Sequence, residues 1–205
     1  MTAKPLIHVV DDDEPFRAAL LELLDAAGFE ACGYASTGAF LLQEAPDRPG
    51  CVLLDVRLPG PSGLELQAAL QRKGVALPII FLTGHADVAT SVKAMKAGAV
   101  DFLEKPVERE TLLDAVKRAL ARDASQREAQ EDTRRHQNRL AVLTPREREI
   151  FDRVVAGKLN KQIADELGIG LRTVKAYRAQ LMEKLRVGSA AELGKLAGEV
   201  GDTSS

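Results

Sequence analysis

Asp11, Asp12, Asp55, Thr83 and Lys105 are the residues of this chain whose types could do chemistry together. Each follows an apolar run short enough for a strand. Residues 6–10 run into Asp11-Asp12-Asp13-Glu14, 51–54 into Asp55, 78–82 into Thr83-Gly84, and 100–103 into Glu104-Lys105-Pro106. Continuous apolar runs of this length read as strands buried on both faces, as in a parallel sheet. In an open α/β sheet ligands sit at the carboxyl ends of the strands, so three carboxylates, a hydroxyl and an ammonium are expected at one edge. Clustered carboxylates are costly without a cation, and hard oxygen donors suit Mg²⁺, which keeps several waters and takes one or two carboxylates plus phosphate oxygens. A carboxylate is also a nucleophile for phosphoryl groups. With a cation on one side and an ammonium on the other, in-line transfer to Asp55 becomes feasible. Asp13 and Glu14 read as a solvated helix start.

The elements that must hold these groups alternate. An amphipathic helix is predicted over 13–28, with Phe16, Leu20, Leu23, Leu24 and Ala27 on one face and Gly28 as its stop. A second strand covers 30–34 and a short helix 37–44; Ser62 caps a helix to about residue 72. Asp87 caps a helix over 88–97, and 107–122 supplies the fifth. Five βα units of this length imply a right-handed doubly wound parallel sheet over residues 1–122.

The chain has 205 residues, 45% hydrophobic and 28% charged, which allows one or two domains. No run approaches the ~18 apolar residues of a membrane span and no signal-peptide pattern opens the chain, so a cytoplasmic protein is expected. Cys32 and Cys51 have no metal-ligand spacing. Charge is unevenly shared: residues 1–122 carry 13 Lys and Arg against 17 Asp and Glu, a net −4, whereas 144–186 carry 10 against 6, a net +4. The basic stretch points to a nucleic-acid partner.

Residues 123–142 are almost wholly polar with no apolar heptad, and read as a linker, helical as an extension of the preceding helix. A domain over 143–205 then opens on Thr144-Pro145-Arg-Glu147, where an N-cap, a first-turn proline and a capping box coincide. That helix ends near Gly157, Asn160 caps a second to Leu167, and Gly168-Ile169-Gly170 turns into a third over 171–185. Ser189 and Glu192 form a box for a fourth, to about 197. Helix, glycine turn and helix is the helix-turn-helix layout, whose second helix enters the major groove of DNA.

The pieces Val-Val-Asp-Asp-Asp, Leu-Leu-Asp-Val-Arg-Leu-Pro-Gly, Phe-Leu-Thr-Gly-His and Asp-Phe-Leu-Glu-Lys-Pro, in this order, resemble the receiver domain of two-component response regulators over about residues 5–121. Leu143-Thr-Pro-Arg-Glu-Arg-Glu, Gly157-Lys-Leu-Asn-Lys-Gln-Ile-Ala and Arg172-Thr-Val-Lys resemble the LuxR-type helix-turn-helix of regulators of the FixJ/NarL type over about 143–198. Two departures stand out. The family usually has Ser-Pro where this chain has Gly170-Leu171, which removes a hydroxyl that could bond phosphate, and His is common where Tyr177 stands.

The resemblance implies a flavodoxin-like sheet of order 2-1-3-4-5 joined to a small all-α four-helix domain. It implies Asp55 as phosphoacceptor, with a phosphohistidine of a cognate sensor histidine kinase as donor. The implied Mg²⁺ ligands are Asp12 and Asp55 directly, Asp11 through water, and the Arg57 carbonyl. Lys105 would pair with a phosphoryl oxygen, its bond to Pro106 being cis and fixing its direction. Thr83 would move toward another oxygen, vacating space for Phe102 to turn inward. His85 would either influence the attacking water or be idle. On DNA, Lys175 and Ala176 are implied at base edges, Arg172, Asn160 and Lys161 at phosphates, and Thr173 and Arg178 on the same recognition surface. Further implied partners are promoter DNA, RNA polymerase and a second copy of the chain, the last through Ala89, Val92, Lys96 and Asp101. The chain is expected not to be an enzyme beyond self-limited autophosphorylation and autodephosphorylation. A haloacid-dehalogenase-like phosphatase is the rival enzyme reading, but Arg57 stands where that family has its second Asp. Protein or RNA binding by the second half is the rival interaction reading.

Overall fold

The computed structural model describes residues 4–42, 48–84 and 87–201. Strands β1 (Leu6–Val10), β2 (Glu30–Tyr34), β3 (Gly50–Asp55), β4 (Ile79–Thr83) and β5 (Asp101–Glu104) form one sheet in the order β2-β1-β3-β4-β5. Every neighbouring pair is parallel. The helices between them are α1 (Glu14–Ala26), α2 (Thr37–Leu41), α3 (Gly63–Arg72), α4 (Val88–Lys96) and α5 (Arg109–Ala141). This is the expected doubly wound sheet in the expected order. The expected end of α2 near residue 44 lies outside the described residues.

The two-residue period of a strand sorts its apolar side chains into two layers. Ile7, Val9, Cys51, Leu53, Ile80 and Leu82 pack with Leu20 and Leu24 of α1 and with Leu112, Ala115, Val116 and Ala119 of α5. Val10, Val52, Leu54, Ile79 and Phe81 pack on the other side with Phe40, Leu66, Leu70 and Ala94 from α2, α3 and α4. All six residues of β3 are buried, which explains its unbroken apolar run. Gly50 begins it because a Cβ there would sit 2.1 Å from the Leu6 carbonyl oxygen.

The fifth helix departs from expectation at its start. It starts at Arg109 rather than 107 and runs unbroken to Ala141, so the span read as a linker is helical. Charged pairs along it explain the continuity: Arg127 meets Asp123 at 3.0 Å, and Arg135 meets Glu131 at 3.3 Å and Asp132 at 3.0 Å. Asp123 is buried, accepting from the Gly50 N–H at 3.0 Å, and Arg127 donates to the Arg48 carbonyl at 2.7 Å. Residues 123–127 thus belong with the sheet, and the chain divides into compact units at Arg127/Glu128.

In the second unit α6 (Pro145–Val155), α7 (Asn160–Leu167), α8 (Leu171–Leu185) and α9 (Ala190–Gly201) surround a core of Ile150, Phe151, Ile163, Val174, Leu181, Leu185, Leu193 and Leu196. The Thr144–Glu147 capping box is present as expected. Its Glu147 carboxylate also takes the Lys184 ammonium at 2.7 Å, joining α6 to α8. Three local expectations are corrected. Leu159, not Asn160, occupies the N-cap of α7, and its N–H is satisfied by the Gln162 side chain at 2.8 Å. Glu192 reaches the Gly188 N–H at 2.8 Å instead of completing a box with Ser189, whose hydroxyl accepts from the Glu192 N–H. Helix α9 continues past 197 to Gly201.

Candidate functional site

At the carboxyl edge of the sheet β1 delivers Asp11, β3 Asp55, β4 Thr83, and the turn after β5 Lys105. Asp11, Asp55 and Thr83 are buried, while Asp12 is exposed at the rim. Carboxylate oxygens of Asp11, Asp12 and Asp55 lie within 4.8 Å of one another. The Lys105 ammonium donates to Asp11 Oδ2 at 2.6 Å and to Asp55 Oδ2 at 2.7 Å. The Lys105–Pro106 peptide bond is cis.

Local bonds hold the carboxylates in place. The Arg57 N–H donates to Asp55 Oδ1 at 2.9 Å, and the Asp13 N–H to Asp11 Oδ1 at 3.1 Å. Asp13 in turn accepts from the Phe16 N–H and caps α1, which is the helix-start role expected of it. Gly63, the first residue of α3, packs on the end of β3: a Cβ there would fall 2.3 Å from the Asp55 carbonyl oxygen.

Electrostatics follow from this packing. Burial raises the Asp11 carboxyl above its ordinary value, against the hydrogen bond and charge of Lys105. Burial also works against the Lys105 ammonium, but its bonds to Asp11 and Asp55 outweigh burial and hold it charged. Three clustered carboxylates against one ammonium leave an excess of negative charge on hard oxygen donors, which fits Mg²⁺.

Two residues missed by sequence reasoning complete the pocket. The Phe16 ring lies under the Lys105 ammonium at 4.3 Å, and the Arg17 guanidinium donates to the Asp11 carbonyl at 2.6 Å. Phe16 was legible only as an apolar helix position, and Arg17 gave no signal at all. Phe102 is half-buried in β5, opposite Phe81 in register, with ring centroids 6.1 Å apart. His85 lies outside the described residues.

Helix α4 exposes Ala89, Val92 and Lys96, and Ala94 is its buried residue. Val92 is 46% exposed and is therefore no part of the core; Val88 and Met95, which spacing did not single out, extend it into an apolar stripe at i, i+4 and i+7. Asp101 is engaged within the chain by Arg118.

In the second unit Lys161, Arg172, Thr173, Lys175 and Ala176 are exposed on α7 and the first turns of α8. Arg178 is half-buried and donates to Asn160 Oδ1 at 2.8 Å, which ties α8 to the start of α7. These two residues therefore share a structural bond, whereas the others project freely from the helix pair.

Comparison with known proteins agrees with this geometry in both units. Residues 7–117 match the response regulator receiver domain family, and 141–197 the luxR family of bacterial regulatory proteins. The chain is 42% identical to Nodulation protein W of Bradyrhizobium diazoefficiens, covering 98% of this chain and 88% of that protein. It is 44% identical to the transcriptional regulatory protein FixJ of Azorhizobium caulinodans, covering 93% and 90%. The solved structure of the response regulator StyR superposes with a TM-score of 0.83 at 43% identity, covering 96% of this chain and all of that one. No helix of the described residues is long and apolar enough to cross a membrane. With a carboxylate pocket at the sheet edge and a basic helix pair in its second half, this chain belongs to the two-component response regulators of the FixJ/NarL type, a receiver domain joined to a LuxR-type DNA-binding domain.

Proposed function

We propose that Asp55 is the phosphoacceptor of a cytoplasmic, phosphorylation-controlled transcription regulator, with domains at 1–122 and 143–205 and a helical linker between them. The observation that carries it is the Asp55 carboxylate sharing the Lys105 ammonium with Asp11, with the Asp12 carboxylate alongside. An Asp55 oxygen attacks the phosphorus of a sensor kinase phosphohistidine, the P–N bond breaks, and the imidazole leaves with the electron pair while an acyl phosphate forms. Asp11, Asp12, Asp55 and the Arg57 carbonyl would hold Mg²⁺, which supplies charge neutralisation of the phosphoryl oxygens. Lys105 pairs with one phosphoryl oxygen and Thr83 turns toward another, making room for Phe102 to rotate inward. The altered α4–β5 surface then joins a second copy through Ala89, Val92, Lys96 and Asp101, and a two-fold dimer presents two α8 helices to promoter DNA and to RNA polymerase.

Acetyl phosphate and Mg²⁺ should add one phosphate by intact-mass measurement to wild type and none to Asp55→Asn; uptake by that variant refutes the assignment. In sedimentation with Mg²⁺ and beryllofluoride, wild type should dimerise and Val92→Glu should not.

A further inference from the structure

Leu171 opens α8 and is 45% exposed. It belongs neither to the buried cluster of its unit nor to the hydrophobics packed against that cluster, although Leu167 and Ile169 just before it do. Nor does it cap the helix: the N-cap is Gly170, which offers no side-chain acceptor. At 45% exposure Leu171 keeps nearly half of its apolar surface open to solvent at the start of the helix, where a partner can cover it. Its surroundings are cationic, with Arg172 next to it and Lys175 one turn on along the same face, both exposed.

In a helix-turn-helix the N-terminal residues of the second helix are the ones that reach base edges in the major groove. There thymine alone presents a methyl group, and an apolar side chain is its matching contact. Contacts to phosphates attract any duplex and carry no sequence information by themselves. We infer that Leu171 reads a thymine, packing its isobutyl group on the C5-methyl, while Arg172 holds the helix in the groove through phosphate and Lys175 meets a base edge beside it. The inference rests on the DNA-binding reading and adds to it a specificity-determining residue and the base that it selects.

Binding sites are selected by the full chain from a randomised duplex library, and each thymine of the selected duplex is then replaced singly by uracil, which deletes only the methyl group. Wild type should lose about 3–5-fold in affinity at one thymine per half-site, the worth of one buried methyl group. Leu171→Ser should bind the thymine and uracil duplexes alike, and Leu171→Met should keep the penalty. Circular dichroism of both variants should match wild type, since the position is exposed and outside the core. Selective binding with no penalty at any thymine, or a penalty unchanged in Leu171→Ser, overturns the inference alone. A wild-type chain that selects no duplex overturns the DNA-binding reading along with it.

Discussion

The receiver unit draws its site from residues 11, 55, 83 and 105 at the ends of four strands or just beyond, whereas the helix-turn-helix unit takes its candidate DNA-contacting residues from two consecutive helices. The first site is largely buried and its charges lean on one another; the second is exposed and its charges lean mostly on water. Function and stability should therefore be entangled in the first unit and separable in the second.

The largest effect that tests this contrast is expected from Lys105→Ala. Removing the ammonium leaves Asp11 and Asp55 facing each other with their shared counter-ion gone, which should destabilise the receiver unit by about 3 kcal/mol in denaturant unfolding without Mg²⁺. Added Mg²⁺ should recover part of that loss. A variant as stable as wild type would show that the receiver pocket is no more entangled with its fold than the helix pair is.

Lys175→Ala is the matching change in the other unit. It should cost about 1–3 kcal/mol of specific DNA binding and leave unfolding within about 0.5 kcal/mol of wild type, since the side chain is exposed. Lys161→Ala should instead weaken selected and random duplexes equally. If Lys175→Ala melts the unit, the proposed separation of function from stability is wrong.

The smallest effect sharpens the contrast through pH. Burial raises Asp11, opposed by Lys105, so its stability contribution is present below its ordinary 3.8 and is lost as pH rises through the folded value. The bond from Lys184, then those from Thr144, lower Glu147, so its contribution is present above 4.5 and is lost as pH falls through the folded value. Acidification from neutrality should therefore narrow any stability advantage of Asp11→Asn over wild type in the first unit. Further acidification below 4.5 should erase the advantage of wild type over Glu147→Gln in the second. Amide signals of each unit followed by NMR during unfolding would separate the two, and parallel responses would remove this part of the contrast.

Legibility in the sequence followed the same divide. Strand-end chemistry at Asp11, Asp55, Thr83 and Lys105 could be read directly, because each polar residue follows a short, mainly apolar run and a parallel sheet sends those ends to one edge. The Thr144–Glu147 box was equally readable, its signal being confined to four residues. Phe16 under Lys105 and Arg17 on the Asp11 carbonyl were not, since no spacing rule relates residue 16 to residue 105 or assigns a helical arginine to a strand end. Asn160 misled for a related reason: its cap-forming side chain is taken by Arg178, eighteen residues on, and the cap falls to Leu159.

Sequence alone determined the alternation of buried strands and amphipathic helices, the carboxylates, hydroxyl and lysine at the strand ends, and the helix-turn-helix, because each is written in local period and punctuation. Tertiary structure alone decided which of those charges are paired, how far the fifth helix runs, and which apolar residues are left outside the core. Asp123 shows why: in sequence it opens a polar stretch, yet packing places it against the Gly50 N–H at the start of the strand that ends in Asp55. Burial and pairing depend on what the rest of the chain brings to a side chain, and that is settled only when strands distant in sequence become neighbours.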